Sequence, residues 1–200
     1  MSLFSEYHKI QTQEMPIDNL RMTTRQRKKQ YRKLAQKDMA KTHLYPLPKL
    51  HEAVYMVSNA RFDFYDFIPA MIEIKGMPAT RLLASTWIMN RININGLIEL
   101  FDKGQVKAID FFIGEYFKKR ESANYALFAE FMINRCQRFK CGKNHSKFFS
   151  IQFEDGECYT IQSSANFTEN GNVETHVCEN DPDLFAFHYS WMNEILKHNG

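Results

Sequence analysis

The pattern of apolar and polar positions predicts helices first and then alternating strands and helices. Residues 49–59 and 62–75 are predicted helices, and Gly76 ends the second one. The elements predicted after these are a strand over 80–88, a helix over 93–103 capped by Asn93 or Asn95, a strand over 106–113, a helix over 122–135 capped by Ser122, hairpin strands over 145–153 and 157–163, a strand over 172–178 and a helix that starts at Asp181. This order predicts an α/β fold, in which a layered mixed sheet is flanked by helices.

The N-terminal part of the chain differs from the rest in charge. Residues 21–41 carry nine basic side chains and one acid, whereas the whole chain has a net charge of only +3. This asymmetry is typical of a contact with nucleic acid or another anionic surface, and the alternative is a solvated basic helix over residues 23–41. The candidate nucleic-acid-binding residues are Arg25, Arg27, Lys28, Lys29, Arg32 and Lys33.

Prolines in residues 43–48 indicate a boundary, because each disfavours helix in the residue before it. We therefore expect an N-terminal arm and basic helix over residues 1–48, which form a helical extension. An α/β domain is expected over residues 49–200, with residues 49–78 as its helical lead-in.

The composition excludes several classes of protein. Hydrophobic residues make up 44% of the 200 residues and aromatic residues 14%, which excludes a mainly disordered chain. No apolar run reaches the length of a bilayer span, and the first residues lack a signal-peptide pattern, so we expect a cytoplasmic protein without membrane contact. The four cysteines form no C-x-x-C motif, which argues against a zinc ribbon. Cys136, Cys141 and His145 do not have a usual ligand spacing, so no metal or cofactor is predicted.

Candidate chemistry is concentrated around the predicted hairpin. His145 and Lys147 are two residues apart on a predicted strand and therefore point to the same face, as do Ser164 and Asn166 beyond the hairpin. An imidazole, an ammonium, a hydroxyl and a carboxamide at one sheet edge suit an anionic phosphodiester. Each residue taken singly also has a structural interpretation, so the functional hypothesis depends on their joint order.

The stretch HSKFFSIQFEDGECYTIQSSANFTENGNVE, residues 145–174, resembles the signature of the phospholipase D superfamily. That signature is H-x-K, then an Asp, then G/S-S-x-N, with a Glu downstream, which is Glu174 here. The resemblance covers roughly residues 79–197 and is greatest to small members with one motif per chain, including nucleases. It implies a phospholipase D-like layered mixed sheet flanked by helices.

The sequence departs from the signature in two places. Gln152 stands where the family has its Asp, and the spacing from His145 to Ser164 is a few residues longer than usual. Either the hairpin is extended and an acid of its turn, Glu154 or Asp155, takes the role of the Asp, or that role is lost.

The resemblance also implies roles for the motif residues. His145 would be the nucleophile that forms a phosphohistidine, and Lys147 and Asn166 would hold the non-bridging oxygens. Ser164 would be a further phosphate ligand or would orient the others, and Glu174 would accept a hydrogen bond from the far nitrogen of His145.

A single motif supplies one histidine where the family chemistry uses two. The resemblance therefore implies a homodimer in which His145 of each subunit faces the other across a two-fold axis, with no metal required. The expected function is a metal-independent phosphodiesterase, in particular a nuclease. The alternatives are a catalytically degenerate module that binds nucleic acid or protein, and a lipid head-group hydrolase.

Several other polar residues have two interpretations. His176 could enter the site, although a structural role is favoured, and His188 is interpreted as a core or interface histidine. Arg81, Arg91 and Lys143 are candidate substrate contacts.

Overall fold

The computed structural model describes residues 36–59, 62–168 and 171–197. Within these ranges there are six helices: α1 (36–44), α2 (Phe67–Lys75), α3 (Arg91–Asp102), α4 (Glu115–Arg120), α5 (Ser122–Asn134) and α6 (Pro182–Lys197). The seven strands are β1 (Ala53–Asn59), β2 (Ala79–Thr86), β3 (Ile109–Gly114), β4 (Arg138–Gly142), β5 (Phe148–Phe153), β6 (Cys158–Ser163) and β7 (Val173–Asn180). The candidate residues Arg25, Arg27, Lys28, Lys29, Arg32 and Lys33 lie outside the described residues.

All seven strands belong to one mixed sheet in the order β1-β7-β6-β5-β2-β3-β4. Strands β2, β3 and β4 are parallel, and the remaining neighbours are antiparallel. This arrangement brings the carboxyl ends of β2, β3 and β4, the start of β5, the end of β6 and the start of β7 to one edge of the sheet. The predicted α/β fold class is confirmed.

Both faces of the sheet are covered by helices, which gives three layers. On one face, residues of α2, α3 and α5 form the main core with alternate residues of the central strands, for example Leu82 and Ala84 of β2. On the other face, Phe185 and Met192 of α6 pack against Leu83. The main core is rich in aromatic side chains, and its largest fully buried rings are Phe64, Phe67, Phe111, Phe117, Phe128, Phe149, Phe153 and Phe167. The dense packing of these rings fixes the strand ends relative to one another.

The predicted helix over residues 49–59 is wrong, because these residues contain strand β1. Met56 and Ser58 point to the core, whereas Tyr55 and Val57 are exposed. That alternation has the two-residue period of a strand, and β1 pairs with β7 along its whole length. The helical lead-in is therefore limited to α2, which a 3-10 turn, Phe64–Asp66, precedes.

Two elements were missed and two caps were assigned to the wrong residues, since α5 begins at Ser122 itself with Glu121 in the cap position. The edge strand β4 is half-buried at every position, so its sequence has no apolar run, and α4 is a short helix directly before α5. Helix α3 begins at Arg91, and Asn90 caps it by accepting a hydrogen bond from the amide of Asn93 at 2.8 Å. Asn93 is instead buried and donates to Asp63 at 2.8 Å.

The predicted hairpin is confirmed, with one change at its start. Strands β5 and β6 pair around a turn that contains Gly156, whose φ of 87° suits glycine. Strand β5 begins at Phe148, so His145 and Lys147 lie in the preceding loop and not on the strand. Their proximity therefore depends on the loop conformation.

Candidate active site

The loop that carries His145 is fixed by Asn144. The side-chain amide of Asn144 donates to Ser85 Oγ at 2.9 Å and to the carbonyl of Phe112 at 2.9 Å, at the ends of β2 and β3. Its Oδ1 accepts from the backbone N–H of Ser146 at 2.9 Å and from its hydroxyl. These bonds hold the residues on both sides of His145, whose own side chain is exposed.

The ammonium group of Lys147 contacts the imidazole of His145. Its Nζ lies 3.3 Å from Nδ1 of His145 and 3.0 Å from the carbonyl oxygen of His145. An ammonium can only donate, so Nδ1 accepts in this contact and carries the lone pair on the side of Lys147. Burial lowers the pKa of Lys147, and the charge of Glu174 acts in the opposite direction.

Ser164 and Glu174 are joined directly. The hydroxyl of Ser164 donates to Oε2 of Glu174 and accepts from the backbone N–H of Thr175 at 3.0 Å. The backbone N–H of Ser164 donates to the carbonyl of Thr175 at 3.1 Å. These bonds attach the segment after β6 to the first residues of β7 and hold the Glu174 carboxylate at the site edge.

The orientation of the Asn166 amide follows from its partners. Its Oδ1 accepts from the hydroxyl of Thr86 at 3.3 Å and from the backbone N–H of Trp87 at 3.2 Å. Because the oxygen is held by two donors, the NH₂ group is the end of Asn166 that can donate to a bound anion.

The hairpin brings the two halves of the motif to the same edge. The backbone N–H of Ser163 donates to the carbonyl of Lys147 at 3.0 Å, which places the residues after β6 beside those before β5. The interaction of Glu174 with Lys147 places that carboxylate in the same group. The bond from His145 to Glu174 stays a prediction.

The acids of the hairpin turn lie at the opposite edge of the sheet. Glu154 pairs with Lys107, and Asp155 pairs with Lys75 at 2.5 Å. Strand β5 has six residues and is therefore about 20 Å long, at about 3.3 Å per residue. Gln152 lies one residue from that same far end, so the turn acids are beside the position of the motif Asp, and the interpretation in which a turn acid replaces it stays a prediction.

Two aromatic residues beside the site were not identified from the sequence. Trp87 follows β2, and its ring centroid lies 5.5 Å from that of His145. Tyr116, which follows β3 by two residues, stacks on Trp87 with a centroid distance of 4.2 Å. The available signal was that Trp87 lies near the end of the predicted strand 80–88 and Tyr116 shortly after the predicted strand 106–113, because ligands bind outside the carboxyl ends of parallel strands.

His176 lies beneath the site and has structural contacts. It is 2% exposed, and its ring nitrogens bond to Ser58 Oγ at 2.9 Å and to Ser163 Oγ at 2.8 Å. Burial lowers its pKa to about 4, so the ring is neutral at pH 7. Ser163 Oγ also accepts from the backbone N–H of Ala165, so His176 supports the segment that carries Ser164 and Asn166.

The other candidates do not lie together in the structure. His188 is buried and stacks on Phe148 with a centroid distance of 4.1 Å, as expected for a core histidine. Arg81 lies near the start of β2, where it donates to the buried Asp110 at 2.7 Å; it is thus at the opposite edge from His145. Lys143 is exposed in the loop before His145, and Arg91 is exposed at the start of α3.

The described residues contain neither a metal-binding cluster nor a membrane-spanning helix. Among the described residues there is no cluster of three His, Cys, Asp or Glu side chains that could hold a metal ion. In that same part of the chain, every helix is too short or too polar to cross a membrane.

Comparison with known proteins gave matches among solved structures, whereas no family model and no curated protein matches the chain. The phospholipase D family member Nuc from Salmonella typhimurium is 14% identical, with a TM-score of 0.49 over 72% of this chain and 93% of that chain. NucT from Helicobacter pylori is 13% identical, with a TM-score of 0.48 over 73% of this chain and 97% of that one.

A larger protein gives a higher structural similarity. The phosphatidylserine synthase of Haemophilus influenzae is 15% identical, with a TM-score of 0.53 over 76% of this chain and 40% of that chain. This chain thus spans less than half the length of the synthase. At such low identity the likeness concerns the fold alone: the matched part of this chain has the same fold as the corresponding part of the synthase.

Proposed function

We propose that the protein is a metal-independent phosphodiesterase, acting as a nuclease through a phosphohistidine at a site shared across a homodimer. The observation that carries this proposal is the contact between Lys147 Nζ and His145 Nδ1, at 3.3 Å, with the Asn166 amide fixed nearby. A nucleophile, a positive charge and a neutral donor are the groups that phosphoryl transfer requires.

In the proposed reaction, the Lys147 ammonium leaves the unprotonated nitrogen of His145 for a non-bridging oxygen of the substrate, and the freed lone pair of that nitrogen attacks phosphorus. A P–N bond forms as the bond from phosphorus to the leaving oxygen breaks, and His145 of the second subunit gives its proton to that oxygen. The same imidazole then takes a proton from water, which attacks phosphorus and breaks the P–N bond. Lys147 and the NH₂ group of Asn166 stabilise the charge that develops on the non-bridging oxygens.

Ser164 and Glu174 act as one unit in this proposal. Because the Ser164 hydroxyl already donates to Glu174, we assign Ser164 the role of orienting the carboxylate and not that of binding phosphate directly. The carboxylate is then available to an N–H of His145 when the ring becomes positively charged, and it also balances the charge of Lys147.

Nucleic acid is the proposed substrate because of the basic N-terminal segment. The basic residues in 25–33 would contact phosphates without sequence preference and with strong salt dependence, whereas Lys37 and Lys41 pair with Glu73. Gln152 in place of the family Asp supports the second candidate, a module that binds nucleic acid or protein without hydrolysis.

The test is hydrolysis of bis-p-nitrophenyl phosphate and of plasmid DNA and RNA in EDTA, with wild type and His145→Ala. Wild type is expected to turn over in EDTA and His145→Ala to be inactive. The matched control is His51→Asn, an exposed histidine with φ of 63° that asparagine tolerates. Activity of His145→Ala near that of wild type contradicts the proposal. Nucleic-acid binding without any turnover supports the second candidate.

The shared site has its own test. Sedimentation should give the mass of a dimer, and mixed dimers of wild type and His145→Ala should be inactive because each reaction uses both histidines. A monomer with full activity contradicts this part of the proposal.

A further inference from the structure

A chain of ring contacts leads from the surface to the imidazole of His145. The guanidinium carbon of Arg120 lies 5.6 Å from the ring centroid of Tyr116, and Tyr116 stacks on Trp87 with 23° between the ring planes. The ring centroid of Trp87 lies 5.5 Å from that of His145. We call Trp87, Tyr116 and Arg120 the aromatic ladder.

The inner end of the ladder is held rigidly. The backbone N–H of Trp87 donates to Asn166, and Gly114 allows the indole to approach the end of β3. A Cβ at Gly114 would lie 2.6 Å from the Trp87 carbonyl oxygen and 2.7 Å from its ring, closer than any stable contact. Both ladder rings are nevertheless half-exposed. Such aromatic rings, fixed at a site edge, are suited to stack on a planar ligand.

The outer end of the ladder is positively charged. Lys118, Lys119 and Arg120 form the last turn of α4 and are all exposed. Lys119 is paired with Glu115 at 3.4 Å, whereas Lys118 lies over the ring of Tyr125. Phe117, which is fully buried, fixes α4 to the core and so keeps these charges beside the stacked rings.

We propose that the aromatic ladder receives an unpaired nucleobase next to the reacting phosphodiester, which makes single-stranded nucleic acid the substrate class of this site. The inference rests on the proposed function. Bases in a duplex are already stacked and paired, whereas every base of a single strand offers a free face to an aromatic ring. Arg120 is exposed, so its guanidinium can stack on the base or give way to it, and the neighbouring lysines can follow the backbone.

The test measures binding separately from hydrolysis by using the full chain with His145→Ala throughout. The probes are a fluorescent oligodeoxythymidine, an oligouridine of the same length and a DNA duplex. The change Tyr116→Leu keeps an apolar side chain but removes the stacking ring. It is expected to lower single-strand affinity about tenfold and to change duplex affinity less than about twofold. The matched control is Tyr189→Leu, since Tyr189 lies on α6 over Arg81 and Arg138.

A second measurement does not depend on the stability of the Tyr116 variant. The chain has two tryptophans, so Trp191→Phe leaves Trp87 as the only reporter of tryptophan fluorescence. Saturation with the single strand should quench this emission, and the duplex should not. Equal quenching by both probes, or an equal loss of affinity for both in Tyr116→Leu, overturns the inference.

The two proposals can fail separately. If wild type binds the single strand more tightly than the duplex but hydrolyses neither, the proposed phosphodiesterase function is contradicted, and the aromatic ladder is supported as a binding site. If wild type hydrolyses the substrate but Tyr116→Leu lowers the affinity for single strand and duplex equally, the inference about the ladder is contradicted and the proposed function is not. If the two single strands differ, the tighter one identifies DNA or RNA as the source of the base.

Discussion

Lys147 Nζ lies 3.3 Å from Nδ1 of His145 and 3.0 Å from the carbonyl oxygen of the same residue. The loop before β5 therefore folds back so that a residue two positions later holds the imidazole from one side. Within the proposed function, this contact places a positive charge beside the atom that attacks phosphorus, where it acts on the oxygens of the same phosphate.

We expect Lys147→Met to lower kcat by about 10²–10³, because the change removes the charge that stabilises the transition state. The measurement is steady-state hydrolysis of a single-stranded oligonucleotide. Lys143→Met is the matched control, an exposed lysine in the same loop, and it should retain kcat within about threefold. Similar losses in both variants would mean that the two lysines act only through the general charge of the loop.

Asn166→Asp should distinguish the structural role of the Asn166 oxygen from the proposed catalytic role of its NH₂ group. The aspartate keeps an oxygen that accepts from Trp87 and Thr86, so the loop stays in place, but it loses the NH₂ group and gains a negative charge near the substrate. We expect an unchanged urea midpoint and a loss of kcat of at least about 10².

The comparison for this variant is Asn166→Ala, which removes both ends of the side chain. It should lower the free energy of unfolding by about 1–2 kcal/mol in addition to the loss of activity. Full activity of Asn166→Asp would exclude the amide as a donor to the phosphodiester.

Gly114→Ala should displace Trp87 while the side chains of all motif residues stay unaltered in the sequence. The added Cβ meets backbone and ring atoms of Trp87 at 2.6–2.7 Å, so we expect a loss of about 1–3 kcal/mol in the free energy of unfolding. Urea unfolding gives this value, and the emission of Trp87 in Trp191→Phe should shift. Gly142→Ala is the graded control: its Cβ meets a ring atom of Phe112 at 3.2 Å and should cost less.

His176 should make stability depend on pH. Its pKa is about 4 in the folded protein against an ordinary value of 6.5, so between these two values the unfolded chain binds more protons. Stability is therefore fully present above pH 6.5 and falls as the pH decreases to about 4, by up to about 1.4 kcal/mol for each pH unit.

The variant His176→Gln isolates this contribution from that of the carboxylates. Urea midpoints at pH 7 and pH 4.5 should differ less in the variant than in wild type. Parallel losses in the two proteins would show that His176 does not control the acid sensitivity. His188, whose pKa burial also lowers to about 4, remains in both proteins and cancels in the comparison.

Local patterns in the sequence predicted the central elements of the fold. The apolar run of β2, the turn with Gly156 and the Asp181 side chain, which accepts from the backbone N–H of Asp183 at 2.8 Å at the start of α6, are each determined by neighbouring residues. Strand β1 was misread because the alternation of its buried and exposed residues becomes visible only when it pairs with β7, a strand more than a hundred residues away. The edge strand β4 has five residues, and only Phe139 and Cys141 form its apolar face, which is too short a pattern to predict a strand.

The candidate site, like the fold, was only partly predictable from the sequence. The order of His145, Lys147, Ser164, Asn166 and Glu174 was readable because it is a linear motif. The contribution of Asn144 was not readable, since it arises from the convergence of β2, β3 and the loop before β5, which occurs only in the folded sheet. For Trp87 the sequence offered only its place near a strand end, and its contact with His145 also depends on that convergence.

The β5–β6 hairpin allows the number of residues between the two halves of the motif to change. Its pairing aligns Lys147 with Ser163 at one end, while the turn lies about 20 Å away at the other end. Residues added in equal number to both strands lengthen the arms of the hairpin and leave its base where it was. The number of residues between His145 and Ser164 can therefore vary without a change at the site. A peptide tag inserted beside Gly156 should leave turnover unaltered.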